Sequence, residues 1–463
     1  HWNMPLLLRL PDAVDPLRLE RAVAALVECH AALRARFPRD GRDGEIRRQE
    51  IAPAGGPVPF AVIDLAALPE ARRAAAITAG CTALQAGLDL SDLERGPLFR
   101  AVLFAGPAGE PPRLFLLAHH LIMDGVSWRV LLADLTAADT RLRRGEPARL
   151  PAPPVSWRRW AERLAAAAAG EDLRSELPLW EEVVHAVAPP LPIDLPGRPE
   201  QNTAGTAEQV AVELDGETTR ALLQRVPEVH HAGIEEALLS ALVRALAPWI
   251  GAPVLFLDLE GHGRQGEAVA AAGEEPLDLS RTVGWFTAVS PVRLDLRGAE
   301  TPGAALRAVK ETLRGLLQRG PSKGLGYGLL RWLGSAETAA RLTPAVPPGL
   351  LFNYLGQLDA ALGAGGIGLA PEPAGPDHAP GGQRSHLLEI NAYVLGGRLG
   401  ITWAFSPAFH RRATIERLAE AFQEALRDLA AAREEAVATP ADFPEAELDQ
   451  ESLAGLLAHL ESS

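Results

Sequence analysis

Between Pro16 and Arg36, Leu19, Val23, Leu26, Val27 and Leu33 recur at the three- and four-residue spacing of one helix face. Asp15-Pro16 offers an N-cap and a proline suited to the first turn, so the spacing predicts one amphipathic helix over 16–36. A zone of little regular pattern runs from Arg39 to Pro59, and an alanine-rich helix is expected near 70–86. Arg113 to Ala118 reads as a strand and Val126 to Arg143 as a helix. Pro151 to Pro154 then breaks the chain before Trp157 and Trp160 open another helical stretch. Residues 189–205, rich in proline, glycine and polar side chains, predict a linker between two lobes. Beyond it the pattern predicts a strand over 209–214 and helices over 217–225 and 233–247, the latter stopped by Pro248. A strand over 254–260 follows. Helices and strands mix in both halves, so the fold class is α/β or α+β, and no short-period repeat is visible.

The chain has 463 residues, 47% apolar and 22% charged, the balance of a globular protein with two or three domains or one large two-lobed one. A net charge of −14 argues against nucleic acid as a partner. No apolar run reaches the ~18–20 residues of a membrane span. With no secretion signal and a start at His1, the sequence is expected to be a piece of a longer polypeptide. Cys29 and Cys81 suit a reducing cytoplasm and, among alanines and leucines, predict packing rather than a two-thiol racemase. Only two lysines occur, Lys310 and Lys323, and neither is placed like the Schiff-base lysine of a pyridoxal enzyme.

Candidate chemistry begins at Ala118-His-His-Leu-Ile-Met-Asp-Gly-Val-Ser-Trp-Arg129, a strand-to-helix junction. If His119 and His120 end a strand, they point to opposite faces, one inward and one toward a cleft. That makes them poor partners for one metal ion, and no metal-binding spacing is present, so no metal is expected. Asp124, beside Gly125, is placed to fix the loop by accepting hydrogen bonds or pairing with an arginine. A second constellation is Leu257-Asp-Leu-Glu-Gly-His-Gly-Arg264. Alternation puts Leu255, Leu257 and Leu259 on one face and Asp258 and Glu260 on the other. Glu260 is the last residue before a glycine turn, from which a carboxylate can reach into a cavity. His262 and Arg264 are expected to orient that turn.

Three loops are also unusual: Arg281-Thr-Val-Gly-Trp-Phe-Thr287, Lys323-Gly-Leu-Gly-Tyr-Gly328 and Phe352-Asn-Tyr-Leu-Gly-Gln357. The second lacks the ending of a P-loop and the context of a dinucleotide fold. The third sets an amide and a phenol side by side. Each alone reads as structural.

Together and in this order, these segments resemble the epimerization domains of nonribosomal peptide synthetases, members of the condensation-domain superfamily. The resemblance rests on His119 to Trp128, Glu260 to Arg264, Arg281 to Thr287, Gly324 to Gly328 and Phe352 to Gln357. Weaker echoes at His1-Trp2-Asn3 and in the Thr439-Pro-Ala-Asp-Phe tail extend it over nearly the whole chain. It implies a chloramphenicol-acetyltransferase-like fold, two similar lobes in a V with a tunnel where they meet. The histidine motif would lie in a lobe of residues 1–188. The linker would be 189–205. Residues 206–438 would form the lobe with the other four motifs, and 439–463 a linker or docking helix. The implied reaction is reversible inversion at Cα of an aminoacyl or peptidyl thioester held on the 4'-phosphopantetheine arm of an upstream peptidyl carrier domain. The domain itself would bind no cofactor. An adenylation domain and a downstream condensation domain would be partners in the same chain, within which this is expected to be a monomeric domain.

A thioester acidifies its α-hydrogen, and inversion removes a proton from one face and returns one to the other. His120 and Glu260 would divide that work as general base and acid, with the pKa of Glu260 raised by an apolar cavity. Carried over by the resemblance, His119, Asp124, Gly125 and Arg264 would support the loops. Asn353 and Tyr354 would hydrogen-bond the enolate oxygen or the substrate amide. The chain departs from the family pattern at Gln265, usually acidic, and at Ser290, usually tyrosine. Two rivals are an amide-forming condensation domain, which shares the histidine motif, and a silent scaffold that recruits carrier domains. A basic run at Arg307, Lys310, Arg314 and Arg319 offers a carrier-docking face, or simply a solvated helix.

Overall fold

The computed structural model describes residues 1–11, 14–40, 45–46, 48–88, 96–270, 274–320, 322, 324–359 and 367–432. Lys323 and the tail at 439–463 lie outside the described residues, as do any expectations that fall on them. Two compact units emerge. The first comprises His1–Glu162, Leu277–Thr287 and Leu358–Gly382, and the second Arg163–Pro276, Ala288–Gln357 and Gln383–Ser463. The division falls at Glu162, not in 189–205, and the Arg281–Thr287 motif packs in the first unit rather than with the sequence around it. Residues 191–202 are no free linker. Leu191 packs on the second unit's core. The amides of Asp194 and Leu195 donate to the Phe409 carbonyl, and the Asn202 side-chain amide donates to the carbonyls of Arg384 and His386. Proline and glycine there mark an irregular path over a folded surface.

The first unit holds β1 (Asn3–Arg9) and four two-residue strands, β2 (Ala35–Arg36), β3 (Arg39–Asp40), β4 (Glu45–Ile46) and β5 (Glu50–Ile51). These are followed by β6 (Phe60–Asp64), β7 (Phe99–Ala105) and β8 (Arg113–His119). Its main sheet runs β13-β1-β8-β7-β6, where β13 (Gly368–Leu369) arrives from far along the chain. Helices α1 (Pro16–Cys29) and α3 (Gly125–Arg143) pack together over an apolar cluster that includes Val23, Leu26, Leu114, Phe115 and Leu131. Each such side chain, withdrawn from water, contributes roughly 1.5–3 kcal/mol. Helix α1 is capped by Asp15, whose carboxylate accepts from the Leu17 amide at 3.0 Å. It ends seven residues before the expected Arg36. His30 turns to an extended conformation because its ring is held by Asp134 of α3, 2.7 Å away, and only a short 3-10 turn, Ala31–Arg34, follows. Helix α2 spans Glu70–Ala86, as its composition predicts.

The second unit holds β9 (Glu208–Glu213), β10 (Val254–Gly261), β11 (Ala288–Asp295), β12 (Leu350–Gln357), β14 (Leu388–Leu395) and β15 (Arg398–Phe405), in the order β11-β10-β12-β14-β15-β9. β12 lies parallel to both β10 and β14, and the other pairings are antiparallel. The helices Ile234–Ile250, Pro302–Arg319 and Arg412–Ala431 contribute to the core on one sheet face. Pro248 sits inside the last turn of the first of these helices, which stops at Gly251 with φ 78°. A proline removes one hydrogen bond but does not end a helix whose Leu242, Val243 and Leu246 are locked in the core.

Candidate functional site

Strand alternation separates the two histidines. His119, the last residue of β8, is 3% exposed, and its Nδ1 accepts from the Leu121 amide at 3.2 Å. Burial pushes its pKa down to about 4, so the ring is neutral through the physiological range. His120 is half-buried, with its amide donating to the Trp2 carbonyl at 2.9 Å. Its ring packs against Trp2 and Trp285, with ring centres 4.8 and 4.7 Å away, and the His378 ring lies 5.4 Å from that of Trp2. Burial drives the His120 pKa below the ordinary imidazole value. The carbonyls of His120 and Met123 and the Asp124 carboxylate pull upward, and His378 pulls downward. Near neutrality this imidazole is therefore an uncharged base.

Asp124 is the N-cap of α3 and more. Its Oδ1 accepts from the Ser127 amide at 2.9 Å and the Ser127 hydroxyl at 2.7 Å, while Oδ2 accepts from the Phe286 amide at 3.1 Å. The Asp124 amide donates to the Gly284 carbonyl at 3.1 Å. The helix start, opened by Gly125, is thereby tied to the 281–287 segment that carries Trp285. A side chain at Gly284 would place its Cβ 2.4 Å from the Trp157 ring, which explains the glycine. A second tie joins the Arg281 guanidinium to both Asp134 oxygens at 2.9 Å, on the carboxylate that also holds His30. Cys29, His30 and Asp134 lie close enough together to ligate a metal ion. Arg281 already supplies the positive charge at that carboxylate.

In the second unit, Glu260 projects with Asp258 from the sheet face opposite the core. Glu260 is the lateral partner of Asn353 in β12. Tyr354 does not join them. As neighbour of Asn353 on a strand it turns to the other face, where it packs on the core, so amide and phenol are not side by side. Within the turn after β10, His262 Nδ1 accepts from the Arg264 amide at 3.0 Å, and Gly263 takes φ 62°. The histidine thus orients the turn. Asp258 is engaged by His386, whose Nε2 lies 2.8 Å from Oδ2, and His386 Nδ1 lies 3.0 Å from the Ser385 hydroxyl.

Glu176 was not singled out by any motif. It is 1% exposed and accepts from the Ser322 amide (2.6 Å), the Ser322 hydroxyl (2.8 Å) and the Trp180 indole (2.9 Å). It occupies the space where a Cβ at Gly326 would be, so the Gly324–Gly328 segment, whose last three residues open the helix Gly326–Leu333 and are not loop as expected, packs against a buried carboxylate. Three of the four basic residues in the 307–319 run have partners within the unit. Lys310 is buried and donates to the His230 carbonyl, Arg314 pairs with Glu236, and Arg319 pairs with Glu182.

Among the described residues these features define a mixed α/β protein built on two main sheets, with a histidine-bearing strand end on one and a carboxylate-bearing strand end on the other. The chain belongs to the condensation-domain family, whose model matches residues 1–450. It is similar to a linear gramicidin synthase of Brevibacillus parabrevis, 41% identical over 98% of this chain and 6% of that protein. It is also 41% identical to chondramide synthase cmdD of Chondromyces crocatus, over 98% of this chain and 11% of that protein. The chain thus spans only about a tenth or less of the length of these relatives. Among solved structures it resembles the epimerization domain from the third module of tyrocidine synthetase B. Identity there is 30% and the TM-score 0.82, covering 93% of this chain and 91% of the other. The chloramphenicol-acetyltransferase-like fold class of condensation and epimerization domains, expected from the motifs, is the one found. Among the described residues no helix is long and apolar enough to cross a membrane.

Proposed function

We propose that this chain is an epimerization domain of a nonribosomal peptide synthetase, inverting Cα of an aminoacyl or peptidyl thioester on the phosphopantetheine arm of a carrier domain. The observation that carries this reading is Glu260. A carboxylate at a strand end, turned away from the core and beside an amide side chain, suits a proton-transferring group that a peptide-bond-forming domain does not require. The likeness to a solved epimerization domain supports it. His120 and Glu260 divide the work, one removing the α-proton and the other returning one to the opposite face. His120 enters as the neutral imidazole that its surroundings favour. Asp124 and Arg264 act on the loops, and Asn353 offers its amide to the enolate oxygen or the substrate amide. No cofactor of the domain's own takes part. An upstream carrier domain, an adenylation domain and a downstream condensation domain in the same polypeptide are the proposed partners.

The test uses the domain with a panel of L-aminoacyl carrier substrates in deuterated water. Wild type should give an L/D mixture labelled at Cα, and Glu260→Gln and His120→Ala should each abolish inversion. Normal inversion by Glu260→Gln would refute the assignment. A dipeptide formed from donor and acceptor carriers would indicate condensation instead, and carrier binding with no exchange would indicate a scaffold.

A further inference from the structure

One row of residues crosses the second unit's sheet from strand to strand. Val289, Glu260, Asn353, Asn391, Thr402 and Ala211 are successive lateral partners in β11, β10, β12, β14, β15 and β9. Pleating places lateral partners on one face. The residues on either side of the row in sequence confirm which face it is. Phe352, Ile390, Ala392, Ile401 and Trp403 are all buried in the core. The row therefore lies on the non-core face, and Asn391 and Thr402 extend it beyond Glu260 and Asn353. With strands ~4.8 Å apart, it runs about 14 Å from Glu260 to Thr402.

The row lies between two built banks. On one side the Tyr393 ring lies over Gly400, where an added Cβ would meet the ring at 2.7 Å. On the other, Arg384 pairs with Glu389 at 3.1 Å and His386 with Asp258 at 2.8 Å. Asn353, Asn391 and Thr402 are half-buried. Among the described residues the side-chain amides of Asn353 and Asn391 have no hydrogen-bond partner in the protein. Their polar atoms stay open to solvent and so to a ligand, and an asparagine offers one acceptor and two donors, the complement of a secondary amide.

We infer that Asn391, assisted by Thr402, positions the amide-bearing chain attached to the reacting centre. This rests on the reading of Glu260 as a reacting group. Secondary amides of that kind come from the pantetheine arm or from the backbone of a peptidyl substrate. Asn391 belongs to none of the segments that mark the family resemblance, and only the sheet register brings it into line with Glu260.

Three thioesters of one amino acid separate the two sources: aminoacyl-N-acetylcysteamine, aminoacyl-pantetheine and dipeptidyl-N-acetylcysteamine. Asn391→Ala should raise KM about tenfold for a thioester with the extra amide, the loss of roughly one hydrogen bond. Thr402→Val should raise it less. Both should leave kcat and the short substrate within twofold of the parent, and Asn391→Gln should recover part of the loss. A KM effect on the pantetheine thioester alone identifies the arm as occupant, and one on the dipeptidyl thioester alone identifies the peptide. Equal effects on all three, or none, overturn the inference. Free pantetheine and an N-acetyl dipeptide amide, titrated into Glu260→Gln protein by NMR, test the row without turnover. Binding that weakens with Asn391→Ala supports it, and failure of both to bind or an unchanged affinity sinks it. If such binding holds while wild type exchanges no α-proton, the epimerase reading alone falls.

Discussion

Replacing Gly326 by alanine puts a methyl group where Glu176 already is. The new Cβ would lie 1.8 Å from Oε2, 2.8 Å from Cδ and 2.6 Å from the Ser322 hydroxyl, against an ordinary contact above 3.4 Å. Either the carboxylate swings out or the helix Gly326–Leu333 moves, and both disrupt hydrogen bonds from Ser322 and Trp180 to a buried charge. Overpacking costs about 1–3 kcal/mol and each such hydrogen bond about 1.5–3 kcal/mol, with partial relaxation of the site. The expected loss is about 3–5 kcal/mol. Gly328, two residues on in the same motif, has nothing within 4 Å of its virtual Cβ. In a helix, alanine there should stabilise by roughly 0.5–1 kcal/mol. The two substitutions thus have opposite signs within three residues. Urea unfolding followed by circular dichroism and tryptophan fluorescence measures both. The double-mutant cycle is sharper still: in a Glu176→Ala background, Gly326→Ala should cost less than about 1 kcal/mol. A Gly326→Ala loss under about 1 kcal/mol, or an equal loss in both backgrounds, would refute the reasoning.

Asp124→Ala removes the cap of α3 and the acceptor for the Phe286 amide. A loss of about 2–4 kcal/mol is expected, together with a change in Trp285 fluorescence as its segment loosens. The acid limb of the α-proton exchange rate should be centred below pH 6.5, because burial holds the His120 pKa under the ordinary imidazole value. An acid limb centred above 6.5 would contradict this. His119 affects stability instead. Its folded pKa of about 4 lies below the unfolded 6.5, so the unfolded chain binds more protons between those values and stability falls as pH is lowered through that window. At 1.36 kcal/mol per unit the loss is about 3 kcal/mol, and His119→Asn should flatten that part of the stability profile, measured by urea titrations from pH 7 to 4.

Much of this architecture was legible because period-two alternation is a local property. It separated His119 from His120 and put Glu260 on the face opposite Leu257. The same rule, applied to Asn353 and Tyr354, would have split that pair, which adjacency had joined. What sequence could not show was set by partners distant in the chain. Asp134, 104 residues beyond His30, ends α1 early. Glu176 answers a glycine 150 positions later and belongs to no motif. Asn391 gains its place only through the register of three strands, which no local pattern encodes. The segment 281–287 looked like part of its sequence neighbourhood, yet hydrogen bonds to Asp124 and Asp134 recruit it to the first unit.

That recruitment constrains how such a domain can be recombined. The chain passes between units at Glu162, Pro276, Thr287, Gln357 and Gly382. A single crossover in the proline-rich stretch at 189–205 would pair a first unit with a foreign Trp285 segment and a foreign β13, against an Asp124, Asp134 and Leu8 that had never met them. Chimeras spliced there would carry mismatched sutures, whereas exchange of the whole chain, or of residues 1–162 together with 277–287 and 358–382, would preserve them. A graft that keeps these contacts therefore has to move all the segments of a unit together.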